Sequence, residues 1–189
     1  MRDVIRTLVR VDTSSSIDEL AVQMREIHNQ LEGHATLGPS QPENMRRTRN
    51  PTSGSVNPIA PPMSPEIIDS RIVANVTFND AYQGPPSVVH GGFVAAVLDE
   101  ALGRTRHLTD HNVVTGSLQV KYLRPTPVNV ELVAEAWIAE IQERKMISRG
   151  VLRHGDVVTA EAQGIFVFLA KDRFMDLVGD ARAKGNSHE

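Results

Sequence analysis

His90 and Asp99 stand nine residues apart in His90-Gly91-Gly92-Phe93-Val94-Ala95-Ala96-Val97-Leu98-Asp99, a glycine-rich turn followed by an apolar run that ends on an acid. Just ahead, Gly84-Pro85-Pro86-Ser87 cannot be helical, because adjacent prolines remove backbone donors and push the residue before each toward extended conformations. From Gly91 onward, Phe93, Val94, Val97, Leu98, Ala101, Leu102, Thr105 and Leu108 recur at steps of three and four, which predicts a helix over about 91–108. Its first two turns are apolar nearly all round, as in a buried helix. The first amides of any helix lack an intrahelical partner, and at Gly91 and Gly92 no side chain shields them. Such N–H groups suit an anion or the oxyanion of a reacting carbonyl.

Asp99 shares a helical face with the small residues Gly92, Ala95, Ala96 and Gly103. An acid in such surroundings ordinarily pairs with a cation one turn away. The forward neighbours of Asp99 are Leu102 and Gly103, whereas Glu100 has Arg104 at the favourable i, i+4 position. Glu100 therefore reads as structural and Asp99 as functional. Nine helical residues rise about 13 to 14 Å, so Asp99 cannot reach an atom held at the amides of its own helix. With no second helix of this kind and no internal repeat, the economical solution is a symmetric homodimer with two identical sites. In each site one subunit would supply the amides and the other the acid.

The chain has 189 residues, a 40% hydrophobic content and a net charge of -3, which fits a single soluble domain with an appendage. Neither that charge nor any basic run draws it to nucleic acid or anionic membranes. With no cysteines, disulfides, thiolate zinc sites and cysteine nucleophiles are excluded. No apolar run approaches the 18 or more residues of a membrane span, and Met1 to Val11 lacks an apolar signal core, so a cytoplasmic location is expected. His107 and His111 with Asp110 have a metal-like spacing, but at a helix end they read as solvated polar residues, and no metal or cofactor is expected.

Residues 1–65 differ in character from the remainder of the chain. Ser16-Ile17-Asp18-Glu19 has the form of a capping box, and Ile17, Leu20, Ala21, Met24, Ile27, His28 and Leu31 trace one face of a helix to about residue 32. From Gly38 to Pro65 the chain carries seven of its 11 prolines among Ser, Asn, Thr and Gly, the composition of an extended, poorly structured connector. Beyond it, residues 66–79 read as one strand. After the helix, Val114, Leu118, Val120 and Tyr122 alternate with polar residues, as do Val130, Leu132, Ala134, Ala136 and Ile138. Strands near 145–153 and 157–169 flank a tight hairpin at His154-Gly155-Asp156, and 171–189 is a C-terminal tail. One strand, one long helix and four antiparallel strands make an α+β domain over 66–170, in the order of the hotdog fold, with a curved sheet around a central helix.

Within that domain, Gln83-Gly84-Pro85-Pro86, His90-Gly91-Gly92, Asp99, Thr115 and Lys121-Tyr122-Leu123-Arg124-Pro125 together resemble the PaaI-like branch of hotdog acyl-CoA thioesterases. The Gln-Gly-Pro-Pro version resembles the thioesterase superfamily member 4 and 5 type. The resemblance implies hydrolysis of acyl-CoA, with a glycine amide polarising the thioester carbonyl and an acid of the facing subunit activating water or attacking directly. Carried over by position, Gly91 with Gly92 supplies the donors and His90 shapes the turn and contacts the thioester. Asp99 is then base or nucleophile, and Thr115 holds the water or orients Asp99. Many PaaI-like enzymes carry Asn six residues before the His; here that position is Gly84, with Gln83 as the substitute donor. Lys121, Arg124, Arg144 and Lys145 are candidates for the CoA phosphates. The expected assembly is a homodimer or dimer of dimers with shared sites. Burial should raise the Asp99 pKa. A hotdog enoyl-thioester hydratase and a noncatalytic acyl-CoA binding or regulatory protein are the alternatives.

Overall fold

Strong period-two patterning beyond residue 62 builds six strands, and the apolar run after His90 builds the helix they enclose. The computed structural model describes residues 2–34 and 48–169. The expected tail, 171–189, and the first part of the proline-rich connector lie outside the described residues. In chain order the elements are α1 (Arg2–Leu8), α2 (Ile17–Glu32), β1 (Met63–Ile68), β2 (Arg71–Thr77), α3 (Gly91–Arg104), β3 (Val113–Tyr122), β4 (Glu131–Gln142), β5 (Lys145–His154) and β6 (Val157–Phe168). The sheet runs β1-β2-β4-β5-β6-β3, with every pair antiparallel. It wraps α3, which touches β2 through β6, and this is the hotdog architecture.

Val94, Val97, Leu98, Ala101 and Leu102 of α3 are buried against Ala134, Ala136, Leu152, Ala160 and Phe166 of the sheet. Small residues on β4 and β6 bring the helix close, and full burial of Leu98 and Leu102 contributes about 1.5–3 kcal/mol each. The α-helical geometry stops at Arg104 rather than 108, and a 3₁₀ turn, Thr105–Leu108, succeeds it. Thr105 explains the change. Its buried hydroxyl donates back to the Leu102 carbonyl at 2.6 Å and meets the Ser148 hydroxyl at 2.7 Å, which fastens the helix end to β5.

Four expectations are corrected. The single strand over 66–79 is a hairpin, β1 and β2, turned by Asp69 and Ser70 at φ 47° and 58°. Two left-handed central residues form the turn that matches strand twist, and without a glycine it leaves no mark in the sequence. The alternation in β3 does not bury a face, because β3 is the edge of the sheet; Leu118 is 37% and Tyr122 56% exposed. Ser16 precedes α2 with φ -131° and makes no side-chain cap, and α2 buries no residue, so the apolar face of Ile17, Met24, Ile27 and Leu31 lies open. The described part of the connector is built, not loose. Ala60 is fully buried and its carbonyl accepts the Tyr82 hydroxyl at 2.9 Å, since Asn, Thr and Ser can satisfy a backbone that proline keeps out of helices.

The two sheet edges differ. β1 has six residues and carries Pro65, whereas β3 has ten residues, no proline and one charged side chain, Lys121. A long, weakly charged edge strand presents a row of unpaired backbone groups.

Candidate active site

The loop Gln83 to Val89 folds back on itself, with Gly84 N–H donating to Val88 O at 2.8 Å and His90 N–H to Tyr82 O at 2.8 Å. It delivers His90 as the N-cap of α3. The His90 ring Nδ1 accepts the Gly92 N–H at 3.1 Å, which leaves the proton of the neutral ring on Nε2. The Gly92 amide is thus engaged by the cap. The Gly91 N–H has no acceptor among the described residues and is the donor open to a ligand.

A Cβ at Gly84 would lie 3.0 Å from the His90 Cα, so the loop runs close against the residue that caps the helix. Gln83 Oε1 accepts the Ser87 N–H at 3.0 Å, steadying a residue at φ 63° inside the loop and leaving Nε2 as the donor end of the side chain.

Asp99 lies two turns further along α3 and is half-buried. Burial is the first cause that pushes its carboxyl above the usual range, and the Glu100 carboxylate adds to it. The Thr115 hydroxyl opposes both by donating to Asp99 Oδ1 at 3.5 Å. Asp99, Thr115, Phe166, Asn50, Arg106 and His107 contribute to an open cavity of about 270 Å³ beside the end of α3. Arg106 was missed in the sequence because it lies past the end of the helix; only the wrap of the sheet shows that it borders this cavity.

Tyr122 is the other residue that sequence reasoning left out of the site. Its hydroxyl donates to the Gly91 carbonyl at 3.0 Å, and its ring lies where a Cβ on Gly91 would meet it at 3.4 Å. α3 therefore lies along the edge strand, with Gly91 at Tyr122 and Asp99 at Thr115. Tyr122→Phe is expected to lower turnover about three- to ten-fold and the melting temperature by no more than a few degrees, as one exposed hydrogen bond is worth about 0.5–1.5 kcal/mol. Steady-state kinetics beside a thermal melt check it.

The candidate phosphate ligands fall into two groups. Lys121 and Arg124 sit at the Tyr122 end of β3, where the Arg124 guanidinium donates to Val158 O at 3.1 Å. Arg144 and Lys145 sit at the opposite end, where Lys145 pairs with Val167 and Val113 with Phe168. No single subunit gathers the four. His111 stacks on Phe168 with ring centroids 4.0 Å apart, and no group of three metal-ligating side chains occurs among the described residues. No helix in the described residues is long and apolar enough to cross a membrane.

Residues 87–161 match the family model described as thioesterase superfamily. The chain is 30% identical over 87 residues to the acyl-coenzyme A thioesterase THEM5 of Homo sapiens, a match covering 46% of this chain and 35% of that protein. It is 31% identical over 93 residues to the acyl-coenzyme A thioesterase THEM4 of Bos taurus, covering 48% and 38%. The chain thus spans little more than a third of the length of these curated relatives. A crystal structure of a thioesterase superfamily protein superposes with a TM-score of 0.80 at 30% identity, covering 88% of this chain and 86% of that one. With that identity sustained along nearly the whole of both chains, this protein belongs to the thioesterase superfamily.

Proposed function

We propose that the chain hydrolyses acyl-CoA thioesters to the free acid and CoA, as a homodimer whose two subunits share each site. The observation that carries this reading is the placement of both reactive groups along the open edge strand, Gly91 at Tyr122 and Asp99 at Thr115. Thr115 and Tyr122 are seven residues apart, about 23 Å along an extended strand. Two copies of β3 paired antiparallel about a point near Leu118 and Gln119 bring Thr115 of one subunit opposite Tyr122 of the other. The same operation brings the Lys121 and Arg124 end of one subunit toward the Arg144 and Lys145 end of its mate, the four cations suited to CoA phosphates.

In this site the Asp99 carboxylate takes a proton from water as the water oxygen attacks the thioester carbonyl. The Gly91 N–H of the second subunit stabilises the oxyanion. The tetrahedral intermediate then expels the CoA thiolate, which recovers the proton held by Asp99. Direct attack by Asp99, with hydrolysis of the resulting anhydride, uses the same two groups. The relatives' printed names support the substrate class.

Because the chain has no cysteine, a thiol-reactive dye reads released CoA without background. Incubation with a series of acyl-CoA chain lengths is expected to release thiol. Binding without release would establish the noncatalytic reading, and hydration of an enoyl-CoA without release the hydratase.

A further inference from the structure

Glu100, next to the proposed catalytic acid, is held from outside the matched family domain. Its Oε2 accepts Asn50 Nδ2 at 3.3 Å and lies 2.9 Å from Thr52 Oγ1, whose one proton is shared between Glu100 and Asn50 Oδ1 at 2.6 Å; its Oε1 accepts Ser53 Oγ and Arg104 Nε, each at 2.8 Å. Arg104 in turn donates to Ser53 Oγ at 3.0 Å. Every one of these partners except Arg104 comes from a tight strap over residues 48–57, closed by Gly54 N–H to Asn50 O at 2.8 Å and Val56 N–H to Thr48 O at 3.0 Å. A Cβ at Gly54 would fall 2.5 Å from the carbonyl oxygens of Asn50 and Thr48, so the strap closes this tightly only on a glycine. From its far side the Arg2 guanidinium donates to the carbonyls of Gly54 and Asn57 at 2.6 and 3.0 Å.

We propose that this strap is a positioning element of the active site, in which Asn50, Thr52 and Ser53 hold the Glu100 carboxylate in place beside Asp99. The inference rests on the reading of Asp99 as the catalytic carboxylate. Three observations support it. Asn50 itself lines the Asp99 cavity, so the strap forms part of the wall. Burial works against a charged Glu100, yet the Ser53 and Thr52 hydroxyls together with Arg104 outweigh it and hold its pKa below the ordinary value. The charge so maintained then acts on Asp99 and raises its affinity for a proton. The other groups bordering the cavity are Arg104, Arg106 and His107 from the end of α3 and its adjoining turn, and Thr115 from β3. A carboxylate of raised pKa is a stronger base near neutral pH, so the strap contributes basicity to a residue it does not touch.

The test uses the full chain. Glu100→Gln is expected to move the acid limb of the pH profile of kcat/KM to lower pH, since the neighbouring negative charge is gone. Thr52→Val is expected to cut kcat about three- to ten-fold with KM for acyl-CoA nearly unchanged, and Thr52→Ser, which restores the hydroxyl, to recover it. An unmoved acid limb in Glu100→Gln, or a Thr52→Ser variant as impaired as Thr52→Val, would overturn the proposal. Carboxyl-carbon NMR titration gives a readout without turnover and in a variant that keeps Glu100. Thr52→Val should raise the titration midpoint of Glu100, and Glu100→Gln should lower that of Asp99. Unmoved midpoints reject the positioning role alone, whereas a wild-type chain that releases no thiol rejects the thioesterase reading alone.

Discussion

Asp99→Asn is expected to cut acyl-CoA hydrolysis by about 10² or more while raising the melting temperature at neutral pH. The two effects share one origin. Burial and the Glu100 charge raise the Asp99 pKa in the folded chain. A group with a raised folded pKa stabilises the fold below its unfolded pKa, about 3.9 for Asp, and that contribution is lost as pH rises through the folded value. At neutral pH the ionised carboxylate is therefore a cost to the fold, and the neutral amide removes it. Asparagine still accepts from the Thr115 hydroxyl, so the local contact survives. Wild-type kcat/KM should fall as pH drops through the raised pKa, because only the carboxylate accepts a proton. Thiol release and thermal melts on the same two samples decide the matter: near-normal turnover, or a lower melting temperature at pH 7, contradicts the role given to Asp99.

A mixture of two dead variants is expected to regain activity. Gly91→Pro removes the one open amide at the head of α3, and proline at the first helical position suits the backbone there. Loss of an oxyanion donor typically costs about 10² to 10³ in kcat, so each homodimer should be nearly inactive. In a dimer of Gly91→Pro with Asp99→Asn, one site lacks both groups and the other has both intact. Random reassortment makes half the dimers mixed, each with one working site of two, which returns about a quarter of wild-type activity. Separate subunits that complete their own sites would show no recovery after unfolding and refolding together. The outcome thus tests the sharing of sites directly, apart from any measurement of mass.

How much of the fold was legible in the sequence depends on which forces act locally. The helix after His90, the four strands from Val113 onward and the Glu100–Arg104 pair, found at 2.8 Å, all rest on periodicity or spacing that the chain writes plainly. The hairpin at Asp69-Ser70 was hidden because a turn of two left-handed residues without glycine has no compositional sign. Thr105 ended the α-helix early through a hydroxyl bond to Ser148, a residue 43 positions away. Within the site, the spacing of His90, Gly91 and Asp99 was readable, but the engagement of Gly92 by His90 depends on a ring orientation. Tyr122, Arg106 and the Asn50, Thr52 and Ser53 strap enter through folding of distant segments onto α3, which no local pattern encodes.

The two sheet edges are unequal, and in the proposed dimer that inequality would set where assembly stops. If β3 is consumed once by the two-fold, the continuous sheet of the dimer ends on both sides in β1, six residues long and interrupted by Pro65. A strand that short offers few backbone groups to a further copy, and proline withholds one of its donors. In the proposed dimer, growth by edge addition would then stop at two subunits instead of running on as a fibre. The hairpin before the central helix would act, in polymer terms, as a chain stopper.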